Sequence, residues 1–456
     1  MKDRFGIDLT QTAGKQFWRG HHLGRRMFFR HAASAVGGYL LLPSTPGETI
    51  ARAQTSPISK ARNCIFVFMN GAPSHVDTFD LKVGAQTPAN YNPTPYEGVL
   101  FPQGLLPKLA AQMDDIALLR SVRPWVTQHQ LGQDWVQIGR NPLGGLASIA
   151  PHIGSVVSLE LADPKSTLPA FLNLNVQNGR GPGYLPPAHA PFYVTAGGAG
   201  LGNTRHPDGQ AAFERRFALL QQIDEESRAS SRLDPLGADT EQFNSAARRL
   251  MYNTDVDRIF TFGADERARY GNTNFGNSCI VARNTLRANM GTRFIQLNIG
   301  GWDNHSNIYN TLNAGNANSL ARQFDSGLGQ LIEDLRNDGL LAETLIVAMG
   351  EFGRTVGNLN ATAGRDHHPQ QAVLVAGAGI KGKRAFGVTD SIGRETVEPG
   401  WRANRPMRAE DIEATIYSAL GINWLTVRRD DPFGRGFEYV PFANEGHYEP
   451  IHDLWS

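Results

Sequence analysis

The chain has 456 residues, with 44 Lys plus Arg against 43 Asp plus Glu and a formal net charge of +1. That balance offers no electrostatic footprint for nucleic acid or an acidic membrane surface, so neither is an expected partner. The length permits two or three domains or one large α/β unit, and 49 glycines with 26 prolines imply many loops on a compact scaffold.

The N-terminus reads as an address. Arg25 and Arg26 precede Met27, Phe28, Phe29 and Arg30; a weakly apolar stretch then leads to Ala51-Arg52-Ala53 before Gln54. Paired arginines, a short apolar segment and an A-x-A site describe a twin-arginine export signal over residues 1–53. The alternative is an amphipathic N-terminal helix. An export signal makes the twin-arginine machinery a partner and the periplasm, or another extracytoplasmic space, the destination. The apolar stretch is too short and too rich in Ala and Gly for a transmembrane helix, and no stable span is expected in the mature chain.

Past the signal, short apolar runs alternate with helical patterns. "NCIFVFMNG", "DIALLRSV", "PAFLNLNV", "TRFIQLNIGG", "ETLIVAMG" and "QAVLVAGAG" read as buried strands. "LLPKLAAQM", "IGSVVSLEL", "AAFERRFALLQQIDEES", "SLARQFDSGLGQLIEDLRNDG" and "AEDIEATIYSALG" read as helices. The alternation predicts an α/β layered domain with a mostly parallel sheet, whose functional residues gather at the strands' C-terminal ends. A helical insertion is expected around residues 205–270, and "GRGPGYLPPAHAPFYVTAGGAGLG" reads as a long surface loop. Cys64 and Cys279 sit in apolar runs and are expected as buried thiols.

The polar residues share one address. Ser74, His75, Asp77, Thr78 and Asp80 follow the first strand. Asp303 and His305 follow "TRFIQLNIGG", and Glu351 and Arg354 follow "ETLIVAMG". Asp366, His367 and His368 stand just before "QAVLVAG". Carboxylate and imidazole together suit zinc, manganese or iron better than magnesium or calcium. Each short motif alone is commonly a turn with hydrogen-bonding side chains; several strand ends with compatible ligands point to a divalent-metal site. Against it, Asp366 has Arg354 or Arg365 as a possible ion-pair partner. His129 follows the second strand as a lone histidine, either a hydrogen-bonded loop residue or part of the site. Gly377, Gly379 and Gly382 have dinucleotide-motif spacing, but no helical pattern follows to meet a phosphate, so a tight turn is expected there.

In the order "GAPSHVDTFDLK", "GGWDNHSN", "TLIVAMGEFGRT", "GRDHHP" and "GAGIKGKRAFGVTD", these motifs resemble the bacterial DUF1501 proteins over nearly the whole chain after the signal, residues 54–456. That family is related to the alkaline phosphatase and sulfatase superfamily. The resemblance implies an alkaline phosphatase-like three-layer α/β/α sandwich with a divalent-metal site. Position by position, it implies Asp77 as the first-strand metal carboxylate, Asp303 and His305 as an Asp-plus-His ligand pair at shortened spacing, and His367 or His368 as the late histidine. Glu351 falls where an Asp-His pair is usual, and Phe352 replaces the histidine. Neither cysteine has the C-x-P-S-R context of a formylglycine sulfatase. A phosphatase-like nucleophile would be Thr127, Ser121 or Thr78.

The expected function is an exported metal-dependent hydrolase of a small anionic phosphate or sulfate ester. Asp303, His305, Glu351, Asp366 and His367 would hold the metal, while Arg354 or His129 steadies the anion. The alternative is a non-catalytic extracytoplasmic binding protein on the same fold, favoured by Phe352 and the absence of an evident nucleophile. A nucleotide-dependent oxidoreductase rests on the three glycines alone.

Overall fold

The run Asn63–Phe68 forms the centre of an eight-stranded sheet and is buried at every position. In the computed structural model the described residues are 56–175, 179–230 and 243–456; residues 1–53, expected as an export signal, lie outside them. Strand side chains alternate between faces. Ile65 and Val67 join one apolar cluster with Leu328 and Ile332, while Cys64, Phe66 and Phe68 join another with Val157 and Ile416. A strand buried on both faces has no solvated side, which is why the sequence shows a continuous apolar run instead of alternation.

Numbered along the chain, the strands of this sheet are β1 (Asn63–Phe68), β2 (Ile116–Val122), β3 (Phe171–Leu174), β4 (Phe192–Val194), β5 (Phe294–Asn298), β6 (Thr344–Met349), β7 (Gln371–Gly377) and β8 (Arg384–Phe386). Their spatial order is β8-β2-β7-β6-β1-β5-β3-β4. Strand β1 pairs in parallel with β5 and β6, and β7 runs antiparallel to both of its neighbours, β2 and β6. Among the described strands of this sheet, β7 alone is reversed. Its N-terminal end therefore lies where the other strands have their C-terminal ends.

Helices cover both faces. Asn274–Ala288 and Leu320–Asn337 pack on the Ile65 side; His129–Ile138, Ile153–Leu161 and Ala409–Ala419 pack on the Phe66 side. The result is a three-layer α/β/α sandwich with a mostly parallel sheet. Each buried Leu, Ile or Phe in these clusters contributes about 1.5–3 kcal/mol.

The departures from the sequence reading are local. Residues 129–138 are a helix, capped by the Gln128 side chain accepting from Leu131 N (2.8 Å), so His129 opens a helix instead of sitting in a loop. "LLPKLAAQM" contributes only the four-residue helix Pro107–Ala110. The Pro- and Gly-rich span contains the short strand β4, and a strand, β8, follows the glycine motif. Gly377 and Gly379 adopt φ of 74° and 72°, making the turn. In the segment around 205–270 the structure has the helices Gln210–Ser230, Thr254–Phe260 and Ala264–Arg269. Cys64 and Cys279 are buried and unpaired. No helix among the described residues is long and apolar enough to cross a membrane.

Candidate metal centre

Four chain segments meet at the sheet's C-terminal edge. β2 delivers Thr127 and His129, β5 delivers Asp303 and His305, and β6 delivers Glu351 and Arg354. His367 arrives from just ahead of β7, because that strand is reversed. The ligand atoms of His129, Asp303, His305 and His367 lie within 4.8 Å of one another. A two-residue ladder pairs His367 with Arg354 and His368 with Gly353. Adjacent strand residues face opposite ways, so only one of the two histidines turns to the cluster.

Each imidazole is anchored through Nδ1. His129 Nδ1 lies 2.7 Å from Glu351 Oε1, His305 Nδ1 2.7 Å from Asp366 Oδ1, and His367 Nδ1 2.7 Å from the Thr127 carbonyl. A carbonyl only accepts, so His367 Nδ1 carries its hydrogen and donates; the carboxylates call for the same at His129 and His305. In their neutral forms all three rings turn an Nε2 lone pair inward. His129 Nε2 and His305 Nε2 lie 3.2 and 3.0 Å from Asp303 Oδ1, and His367 Nε2 lies 3.7 Å from it. The Nε2 atoms of His305 and His367 are 3.0 Å apart. Lone pairs this close repel each other unless a proton or a cation lies between them. His129 Nε2 is buried, with Asp303 Oδ1 as its polar neighbour.

The donor set fits a cation. Three neutral imidazole nitrogens and one carboxylate oxygen suit zinc, manganese or iron, and partners behind the histidines are what fix a ligating ring's tautomer and orientation. Glu351 is fully buried and accepts from Gly71 N (3.1 Å), His129 and Gln133 Nε2 (3.3 Å). Its hydrogen bond holds the His129 pKa above the ordinary histidine value, against the burial that would lower it. Burial depresses His367. Burial alone would raise Asp303, but the hydrogen bond and charge of Arg354 reverse this and hold it below the usual carboxylate range. The hydrogen bond from His305 similarly lowers Asp366.

Several singled-out residues have other placements. Arg354 is fully buried; it donates to the carbonyls of Ala72 (2.9 Å), Arg365 (3.2 Å) and Gly71, and to Asp303 Oδ1 (2.6 Å). Its Nη1 also lies 3.4 Å from His305 Nε2, so its donors are committed to the chain's own groups. Glu351 and Asp366 stand behind histidines, outside the converging group. Asp77 is held apart by Arg365 Nε (2.8 Å), Ser74 Oγ (2.5 Å) and Tyr309 OH (3.3 Å). His368 faces the other way, with Nε2 2.8 Å from the Arg394 carbonyl and its ring stacked on His75. Of the three hydroxyls, Ser121 donates to the Pro399 carbonyl and Thr78 to the Ser74 carbonyl, each at 2.7 Å. Thr127 alone borders the cluster, through its carbonyl.

Other contributors were not expected as parts of the site. Phe352 is fully buried with its ring centroid 4.9 Å from His129 and 4.7 Å from His367, an apolar floor under both rings. Asn360 Nδ2 (3.0 Å) and Thr362 Oγ1 (2.6 Å) donate to the His305 carbonyl. Gly71 has φ of 107°, and a Cβ there would stand 2.6 Å from Asp303 N. The close approach that lets Gly71 meet both Glu351 and Arg354 thus requires glycine.

Fold and cluster together define an α/β protein with a His–Asp centre at the C-terminal edge of its sheet. The chain belongs to the DUF1501 family (protein of unknown function), whose model matches residues 61–435. No curated protein matches it. Among solved structures it is similar to a putative sulfatase from Bacteroides thetaiotaomicron (10% identity, 86% of this chain and 74% of that chain, TM-score 0.43). It is also similar to a phosphonate monoester hydrolase from Silicibacter pomeroyi (12%, 86% and 76%, TM-score 0.38) and to the lipoteichoic acid synthase LtaP from Listeria monocytogenes (12%, 87% and 79%, TM-score 0.37). At these identities no residue role or activity transfers.

Proposed function

We propose that the chain is an exported metal-dependent hydrolase of a phosphate or sulfate ester, carried out by the twin-arginine machinery and acting outside the cytoplasm. The observation that supports it is the convergence of three Nε2 lone pairs on Asp303 Oδ1, with every Nδ1 already engaged. His129, Asp303, His305 and His367 would hold the ion. A divalent ion there would supply Lewis-acid polarisation of an ester oxygen and activation of water. The side chains of Asp303 and His305 are 45% and 46% exposed, so the cluster is open to a substrate. Glu351, Asp366 and the Thr127 carbonyl fix the three rings; Phe352 keeps water from beneath two of them. The Thr127 hydroxyl, which makes no hydrogen bond among the described residues, is the candidate nucleophile.

A second reading, a non-catalytic binding protein, draws on one observation: the Arg354 guanidinium already lies 2.6 Å from Asp303 Oδ1, where it neutralises the carboxylate without a metal. Elemental analysis of the full chain purified without chelator, beside His305→Ala, separates the two. The hydrolase reading expects about one zinc, manganese or iron per chain, lost in the variant, and turnover in a screen of phosphate and sulfate monoesters. No transition metal after reconstitution would sink it in favour of the binding protein.

A further inference from the structure

A cleft of about 720 Å³ opens beside the metal cluster. One wall is the helix His129–Ile138, whose positions 130, 133, 134 and 137 share a face by helical spacing and all line the cleft. The opposite wall comes from the ends of β1 and β5, through Asn70 and Asn298. Cleft and cluster share a partition: Gln133 Nε2 donates to Asn70 Oδ1 (2.7 Å) and lies 3.3 Å from Glu351 Oε1, the atom that holds His129.

The lining is uncharged in effect and rich in amides. Its one acid and one base, Asp134 and Arg180, are spent on each other in a two-pronged pair at 2.8 and 2.7 Å. Asn298 has both donors and one acceptor site engaged, donating to Asn173 Oδ1 (2.9 Å) and the Leu174 carbonyl (2.8 Å) and accepting from Gln296 (2.9 Å), and so forms rigid wall. Asn70 Nδ2 and the Oε1 atoms of Gln130 and Gln133 have no hydrogen-bond partner among the described residues. They present donors and acceptors together, with no unpaired charge. An anionic group would call for a free guanidinium or ammonium. An apolar one would call for more than Phe68, which is 3% exposed. Hydroxyl groups, which both donate and accept, match amides of both kinds.

We propose that this cleft binds a neutral, polyhydroxylated group of the sugar class, the part of the substrate that carries the ester to the cluster. The inference rests on the hydrolase reading for its purpose and on the cleft alone for its chemistry. A ligand lying along the polar face of the helix reaches His129 at the helix's first residue.

The test is calorimetric titration of the full chain with cellotetraose, xylotetraose and mannotetraose, with and without EDTA, alongside hydrolysis of 4-nitrophenyl phosphate and 4-nitrophenyl sulfate. At least one neutral tetrasaccharide is expected to bind, in EDTA as well, with affinity reduced at least fivefold in both Gln130→Ala and Asn70→Ala. Melting curves confirm that both variants are folded. Absence of binding by all three sugars, binding unchanged in both variants, or tenfold tighter binding of a heparin tetrasaccharide would overturn the sugar inference. Ester hydrolysis without sugar binding would overturn it while leaving the hydrolase standing. Sugar binding with neither metal nor hydrolysis would overturn the hydrolase reading and leave the ligand class in place.

Discussion

Replacing Glu351 with glutamine tests the cluster through a residue that is not itself among the converging ligands. Oε1 of Glu351 accepts from His129 Nδ1, Gly71 N and Gln133 Nε2, whereas Oε2 accepts only from Gly71 N at 3.3 Å. A glutamine with its oxygen in the Oε1 position keeps the His129 hydrogen bond but makes it neutral, and its amide nitrogen then faces another donor. The ring stays oriented and its Nε2 becomes a weaker base. Loss of such a partner lowers metal affinity about 10–100-fold, which corresponds to about 1.4–2.7 kcal/mol. The assay is competition with a chromophoric zinc chelator at fixed pH, with a thermal melt to show that Glu351→Gln is folded. Zinc affinity within threefold of the original chain would refute the idea that Glu351 supports a ligating histidine.

Three further outcomes are expected. Asp77→Asn breaks the buried pair with Arg365 and should lower stability by about 3–5 kcal/mol, read as the urea midpoint, while metal content stays unchanged; loss of metal would bring Asp77 into the site. Gly71→Ala combines φ of 107° with a Cβ 2.6 Å from Asp303 N, so it should cost more than about 2 kcal/mol and empty the metal centre; a variant matching the original in urea melts and metal content would contradict that geometry. Burial pushes Glu413 up to about 8, and its Oε2 has no hydrogen-bond partner. Because the folded pKa is raised, its contribution is fully present below the unfolded value, about 4.3, and is lost as pH climbs toward 8. Glu413→Gln should therefore gain on the original chain between pH 5 and pH 8, on the order of a few kcal/mol, in paired urea titrations; an equal difference at both pH values would refute it.

Six of the eight strands were legible because burial on both faces leaves an unbroken apolar run, and the long helices because their period survives in sequence; the three-residue edge strands β4 and β8, incompletely buried, were missed. The helix His129–Ile138 was not legible, since the polar side chains that line the cleft leave few apolar positions to mark its period. Without that helix His129 could be read as a loop residue or as a group steadying an anion, but not as a ring held beside Asp303 with His305 and His367. The choice between His367 and His368 was latent in the two-residue alternation of a strand, but needed the ladder to Arg354 to reveal which face was which. Asp77 shows the opposite case. A carboxylate after the first strand looks like a ligand until the structure supplies Arg365, a partner 288 residues away that no spacing rule reports.

The reversed β7 has a consequence for when the centre comes into being. Asp303 and His305 are neighbours in the chain, but His129 and His367 reach them only once β2, β5, β6 and β7 have taken their places in the sheet. No nascent or partly folded chain lacking that last strand assembles the set. The cluster is therefore a late product of a topology dominated by distant pairings, a slow kind to fold. An ion that binds only the completed set favours the finished state over every earlier one, by an amount that grows with its concentration over its Kd. Recovery of metal binding during refolding would thus report that the five strands from β2 to β5 have come together, where the return of helix or of buried tryptophan would report only parts of them.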